Sequence, residues 1–135
     1  MKYSEELPLS AQFYKLFETT GWNDNYELNP EELYTALKNS WYTISVFDNN
    51  QFVGFGRIIC DGIAHALILD CIVHPDQQGK GIGKEIMNKL VVKCKKHKIR
   101  DIQLFSAKDK AGFYEKLGFE KRKNESPGMG LKKYW

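Results

Sequence analysis

Gln78-Gly79-Lys80-Gly81-Ile82-Gly83-Lys84 follows the apolar run Leu67-Ile68-Leu69-Asp70-Cys71-Ile72-Val73 and the turn His74-Pro75-Asp76-Gln77. After it, Ile82, Ile86, Met87, Leu90, Val91 and Cys94 fall at spacings of three to five, one face of a helix. The glycines therefore sit at a strand–turn–helix junction. The first N–H groups of a helix have no partner inside it, and the helix dipole adds partial positive charge there. Glycines remove Cβ atoms and open the amides to a ligand. The expectation is a phosphate site.

Two familiar phosphate loops fail on specific residues. A P-loop, G-x-x-x-x-G-K-[ST], needs four residues between its glycines and a hydroxyl after the lysine. Gly79 and Gly83 leave three between them, and Glu85 stands where the hydroxyl should be. The dinucleotide pattern G-x-G-x-x-G begins with Gly79-Lys80-Gly81 but has Lys84 at its last position. The pattern [QR]-x-x-G-x-[GA] fits on Gln78, Gly81 and Gly83. After a strand ending Val73-His74-Pro75, it resembles the coenzyme A loop of the GCN5-related N-acetyltransferases. A second motif, Ala111-Gly112-Phe113-Tyr114-Glu115-Lys116-Leu117-Gly118-Phe119, is similar to that family's short Phe-Tyr helix ending in Leu-Gly-Phe.

Length and composition bound the rest. At 135 residues the chain reads as one domain, 1–135, long enough to bury roughly two thirds of its unfolded surface. Apolar residues make up 42% and charged residues 27%, as in an ordinary globule. A net charge of +3 is too small to argue for nucleic acid. No apolar run approaches the roughly 20 residues of a membrane span, and Met1-Lys2-Tyr3-Ser4-Glu5-Glu6 has no signal-peptide apolar stretch. Cys60, Cys71 and Cys94 show no paired spacing and read as reduced small hydrophobes of a cytoplasmic protein. No metal-ligand cluster is expected.

In chain order, residues 2–6 suggest a short edge strand and 9–19 a helix with Phe13, Leu16 and Phe17 inward. Asn29-Pro30-Glu31-Glu32 opens a second helix to about residue 38: Asn caps, Pro takes the first position, acids follow. Residues 41–47 and 52–60 form a hairpin about Asp48-Asn49-Asn50-Gln51. Further strands are expected at 64–73, 99–105, 119–122 and 129–134, with helices at about 80–97 and 109–117. Local rules alone give α+β or mixed α/β. The resemblance implies a central mixed, mostly antiparallel V-split sheet of about seven strands flanked by about four helices.

The resemblance also implies a chemistry: direct attack of a primary amine of a small molecule or peptide on the thioester of acetyl-CoA. Amide formation requires a neutral amine, a polarised carbonyl and a proton for the departing thiolate. By family position, Cys71, Ile72 and Val73 offer main-chain groups to the cofactor. Gln78, Gly79, Lys80, Gly81, Ile82, Gly83 and Lys84 form the pyrophosphate loop. Tyr114 is the general acid; its bland reading is a half-buried helix aromatic. Asp70 is the base or orders a relay water; its bland reading is a structural carboxylate. His65, His74, Glu31 and Glu32 have ordinary structural reasons to exist.

Thr20-Gly21-Trp22, Asp70 and Leu104-Phe105 are further similar to small plastid and cyanobacterial arylalkylamine (serotonin) N-acetyltransferases. By that likeness Trp22 and Tyr42 line an amine pocket, or else pack the core. One departure is plain: the family's frequent Asn before the tyrosine is replaced here by Ala107 and Lys108, with Ser106 nearby. Paired C-terminal strands in such folds point to a homodimer. The competing reading is a non-catalytic acyl-CoA-sensing module. A nucleic-acid module using Lys93, Lys95, Lys96, Lys98 and Arg100 is disfavoured, since basic residues at a helix C-terminus serve the dipole.

Overall fold

The structure is a computed structural model that describes residues 1–131. Two compact units are present, Met1–Phe105 and Ser106–Trp135. The first runs β1 (Lys2–Ser4), α1 (Ser10–Glu18), α2 (Asn23–Tyr26), α3 (Pro30–Lys38), β2 (Tyr42–Asp48), β3 (Gln51–Cys60), β4 (His65–Val73), a 3-10 turn (Pro75–Gln77), α4 (Ile82–Lys96) and β5 (Asp101–Leu104). The second carries α5 (Ala111–Lys116). The class is mixed α/β. Among the described residues the sheet has five strands in the order β1-β2-β3-β4-β5. The expected strand at 119–122 is not formed. Of the one expected at 129–134, residues 129–131 are not strand and the remainder lies outside the described residues.

Local chemistry sets the boundaries. Asn29 Oδ1 accepts the Glu32 N–H at 2.8 Å, and Glu32 Oε1 accepts the Asn29 N–H at 3.1 Å. This reciprocal box, with Pro30 at the first position, starts α3. The β2–β3 hairpin turns on Asn49 and Asn50, both at positive φ (47° and 68°). That is the two-residue turn whose twist matches the strands, and Asn is among the few residues that tolerate it.

β1, β2, β3 and β4 pair antiparallel, whereas β4 and β5 are parallel. The parallel pairing ends at Ile68↔Leu104, so residues 69–73 of β4 run on without a partner from β5. On one face α1 and α3 cover Phe55 and Ile72, with Phe13, Leu16, Phe17, Leu33 and Leu37 completing that core. On the other, α4 presents Ile82, Ile86, Met87, Leu90 and Cys94. It lies close because β3 carries glycine beneath it: a Cβ on Gly56 would stand 2.6 Å from Ile86 Cγ2 and 3.0 Å from Leu90 Cδ1.

One irregularity divides β4. Phe55 pairs with Ile72 and Arg57 with Leu69, so Gly56 faces two residues, Asp70 and Cys71. Asp70 has φ +52°. This is a bulge whose first residue is left-handed, a place usually held by glycine. Side chains alternate along a strand, so the extra residue switches faces. Ile68, paired with Ile58, faces α4, whereas Ile72 joins the core under α1 and α3.

The turn between β3 and β4 is held by one carboxylate. Asp61 Oδ1 accepts the N–H groups of Ile63 (2.8 Å), Ala64 (2.7 Å) and His65 (3.2 Å). These bonds hold its pKa below the usual 3.8. A depressed folded pKa stabilises above the unfolded value and loses that effect as pH falls through the folded one. Asp61→Ala should therefore melt several degrees below the parent at neutral pH, with the gap closing as pH drops below 3.8. Thermal scans across acidic pH check this; a gap independent of pH would assign the effect to the turn backbone alone.

Candidate functional site

β4 ends where the His74 N–H donates to Val53 O at 2.8 Å. His74 Nδ1 then accepts the Asp76 N–H at 3.1 Å and starts the 3-10 turn. The residues expected as a turn, His74-Pro75-Asp76-Gln77, thus form one. His74 is thereby a local cap, in keeping with its ordinary structural reading.

The loop folds back on the strand. Gln78 Nε2 donates to Val73 O at 3.1 Å, and Lys80 Nζ donates to Gln77 Oε1 at 3.0 Å. Gln78 thus spends its side chain as a strut and occupies the last carbonyl of β4. Gly79 and Gly81 lie at φ +80° and +82°. A Cβ on either would meet nothing within 4 Å, so backbone conformation demands glycine there, rather than crowding. Gly81 is the N-cap of α4, and no side chain caps it. Ile82 is buried and pins the first turn, while Gly83 and the exposed Lys84 complete it. An uncapped N-terminus of a 15-residue helix, entered through left-handed glycines, is chemically an anion cradle.

The strand before the loop is a different environment. Cys71 is turned to α4, its Sγ 3.3 Å from Met87 Sδ. Burial, with the charge of Asp70 second, pushes its pKa up to about 12. Cys94 rises to about 11 for want of solvent, with Cys60 adding to it. At neutral pH both stay thiols, which makes neither a nucleophile.

Asp70 is not alone. Arg57 Nε donates to Asp70 Oδ2 at 2.7 Å, and Arg57 Nη1 donates to Ala36 O (3.2 Å) and Ser40 Oγ (3.3 Å). The side chains are 12% and 18% exposed. Sequence reasoning missed Arg57. The available signal was a lone cation in the apolar strand Phe55-Gly56-Arg57-Ile58 facing a lone anion in Leu69-Asp70-Cys71.

The two aromatics expected to share an amine pocket are separated by the sheet. Trp22 packs edge-on against Phe17, ring centroids 6.0 Å apart, on the α1 side. Tyr42 pairs with Ile58 and lies under Lys93 Nζ (4.9 Å), on the α4 side. Tyr114 belongs to the second unit, half-buried in α5, with Phe113 edge-on at 5.1 Å and Phe119 at 6.3 Å. Among the described residues no group of three His, Cys, Asp or Glu is gathered for a metal, and no helix is long and apolar enough to cross a membrane.

Residues 11–133 match the family model of the acetyltransferase (GNAT) domain, and the chain belongs to that family. An uncharacterised N-acetyltransferase of Pyropia yezoensis is 40% identical over 98 residues, covering 70% of this chain and 56% of that protein. Serotonin N-acetyltransferase 2, chloroplastic, of Oryza sativa subsp. japonica is 34% identical over 105 residues, covering 75% of this chain and 52% of its own. The chain thus spans about half the length of the curated relatives it matches. Among solved structures, a GNAT-family acetyltransferase of Streptococcus pneumoniae superposes with a TM-score of 0.77 at 27% identity, covering 96% of this chain and 94% of that one. A Staphylococcus aureus protein of unknown function shares the fold with a TM-score of 0.81 at 24% identity, covering 98% of each chain.

Proposed function

We propose that residues 1–135 form one N-acetyltransferase domain that moves an acetyl group from acetyl-CoA to a primary amine of a small molecule or peptide. The observation that carries the reading, within a GNAT chain, is the uncapped N-terminus of α4 behind Gly79 and Gly81. Amides of residues 79–84 would take the pyrophosphate, and Lys80 and Lys84 would add charge at its rim. Main-chain groups of residues 71–73 would receive the pantetheine arm.

The amine nitrogen attacks the thioester carbonyl carbon. The C–N bond forms, the C–S bond breaks, and the thiolate takes a proton from the Tyr114 hydroxyl. The amine's proton leaves through water ordered by Asp70, whose Oδ2 is committed to Arg57. Cys71 and Cys94, held as thiols, favour direct transfer over an acyl-cysteine intermediate. Trp22 is the aromatic we assign to the acceptor, and the likeness to a serotonin N-acetyltransferase supports an arylalkylamine as the first class to test. The reduced thiols suit a cytoplasmic setting.

Thiol release from acetyl-CoA, measured against arylalkylamines, polyamines, aminoglycosides and lysine peptides, tests the reading. Release is expected in one pool, and Tyr114→Phe should lower kcat about a hundredfold with KM little changed. Release untouched by Tyr114→Phe would remove the acid assignment alone. Absence of both release and acetyl-CoA binding would overturn the function; binding without release would favour a cofactor-sensing module.

A further inference from the structure

We infer that Arg57 is a positioning residue: its guanidinium holds the left-handed bulge at Asp70, and so sets the direction of the main chain at residues 71–73. The inference rests on the proposed use of those residues for the donor.

The geometry is specific. An L-residue at φ +52° is strained, though Asp bears the region better than most. Its side chain is held by a charge-assisted bond of 2.7 Å inside a nearly closed environment. The same guanidinium grips Ala36 O and Ser40 Oγ at the C-terminal end of α3. The bulge is therefore tied to a helix packed on the sheet, across 21 residues of sequence to Ala36 and 13 to Asp70. Two donor directions from one planar group are needed, and a lysine ammonium has no such fork.

The bulge also decides which way residues 71 and 72 face. With it, Cys71 meets Met87 on the α4 side and Ile72 enters the other core. Beyond Ile68↔Leu104 this stretch has no β5 partner to hold it, so Arg57 is what fixes its orientation from the α3 side. Release of Asp70 would let the bulge migrate along the strand, rotating the peptide groups meant for the donor.

The test compares Arg57→Met, Arg57→Lys and the double variant Arg57→Met/Asp70→Gly. Glycine takes the left-handed conformation freely and leaves no carboxylate without a partner. Amide hydrogen exchange at residues 71–73 is the primary readout, because it does not depend on turnover. Arg57→Met and Arg57→Lys should each exchange there at least tenfold faster than the parent, with β2 and the first half of β3 unchanged. The double variant should return to within threefold of the parent. A purely structural ion pair would instead loosen the strands generally, with no confinement of the faster exchange to residues 71–73. Unaltered exchange in Arg57→Met, or a double variant as fast as the single one, overturns the inference. If Arg57→Met does not fold, recovery of the fold in the double variant supports it. If neither folds, Ser40→Ala is read in the same way: faster exchange confined to 71–73 supports it, and none overturns it. In a turnover assay Arg57→Met should lower kcat at least tenfold while acetyl-CoA affinity, carried by the loop, shifts less than threefold. A parent protein without turnover removes the functional reading and leaves the exchange result standing.

Discussion

Gly56→Val is expected to leave the protein unfolded, or nearly so, at 25 °C. β3 is the centre of the five-stranded order, paired on both sides, so its backbone has nowhere to retreat. The first added carbon would stand 2.6 Å from Ile86 Cγ2 and 3.0 Å from Leu90 Cδ1. Both of those side chains are fully buried and belong to a single helix, so relief requires α4 to lift from the sheet. Overpacking a tight core costs about 1–3 kcal/mol for small additions. The gain in strand propensity over glycine is no more than about 1 kcal/mol. Gly56→Ala should therefore lose about 2 kcal/mol. Valine adds two further methyls against the same wall and should lose at least about 4 kcal/mol, a large share of the roughly 5–15 kcal/mol of a typical domain. Urea unfolding followed by circular dichroism measures both. Gly54→Ala is the control: its contacts, with Ile82 Cγ2, Ile86 Cδ1 and Val46 Cβ, are all 3.3 Å, so it should lose less. A double-mutant cycle with Ile86→Ala supplies the mechanism, since removal of Cγ2 should offset part of the Gly56→Ala loss. Strict additivity in that cycle would show that the close approach is not the cause.

For the donor site the decisive comparison is Gly81→Asp against Gly81→Asn. Gly81 is left-handed, and a Cβ there points into open space. Asn and Asp bear that conformation better than other L-residues and have the same shape, so backbone strain cancels between them. What differs is one negative charge at the mouth of an uncapped helix. A carboxylate roughly 6 Å from a phosphate charge, at an effective dielectric of about 40, meets about 1.4 kcal/mol of repulsion. With two phosphate charges, acetyl-CoA should bind about thirtyfold or more weaker to Gly81→Asp than to Gly81→Asn after screening, and the ratio should shrink in high salt. Thermal stability without ligand should move the other way, because the carboxylate complements the helix dipole. Calorimetric titration of both variants at two ionic strengths decides the matter. Equal affinities would place the pyrophosphate elsewhere.

Much of the chain announces itself locally. Asn29-Pro30-Glu31-Glu32 and Asp48-Asn49-Asn50-Gln51 carry their own hydrogen bonds and turn chemistry, so the capping box and hairpin could be read directly. The loop before α4 was legible for the same reason: left-handed backbone and open amides are properties of glycines at a helix start. The features that escaped reading depend on partners distant in sequence. Gly54 and Gly56 look like weak points of a strand until α4 is laid over them. Arg57 and Asp70 look like isolated charges until the sheet brings them together. The segment 119–122, expected as a strand, has Phe119 as its one strand-favouring residue; Glu120 and Lys121 are disfavoured there, and pairing needs a neighbour as well as propensity. Trp22 and Tyr42 were grouped by family likeness, and they lie on opposite faces of the sheet.

β4 holds one more residue than the ladder it fills. Take Asp70 out of the count, and Leu69↔Arg57, Cys71↔Gly56 and Ile72↔Phe55 fall into an uninterrupted register. The strand is therefore two ordinary halves joined out of phase. Both of its faces are covered by helices, so each half reads as a continuous apolar run, and the change of phase shows in the pairing and not in the sequence. In an alignment with chains whose equivalent strand is straight, the gap belongs opposite this aspartate, and hydrophobic positions should be compared separately on either side of it.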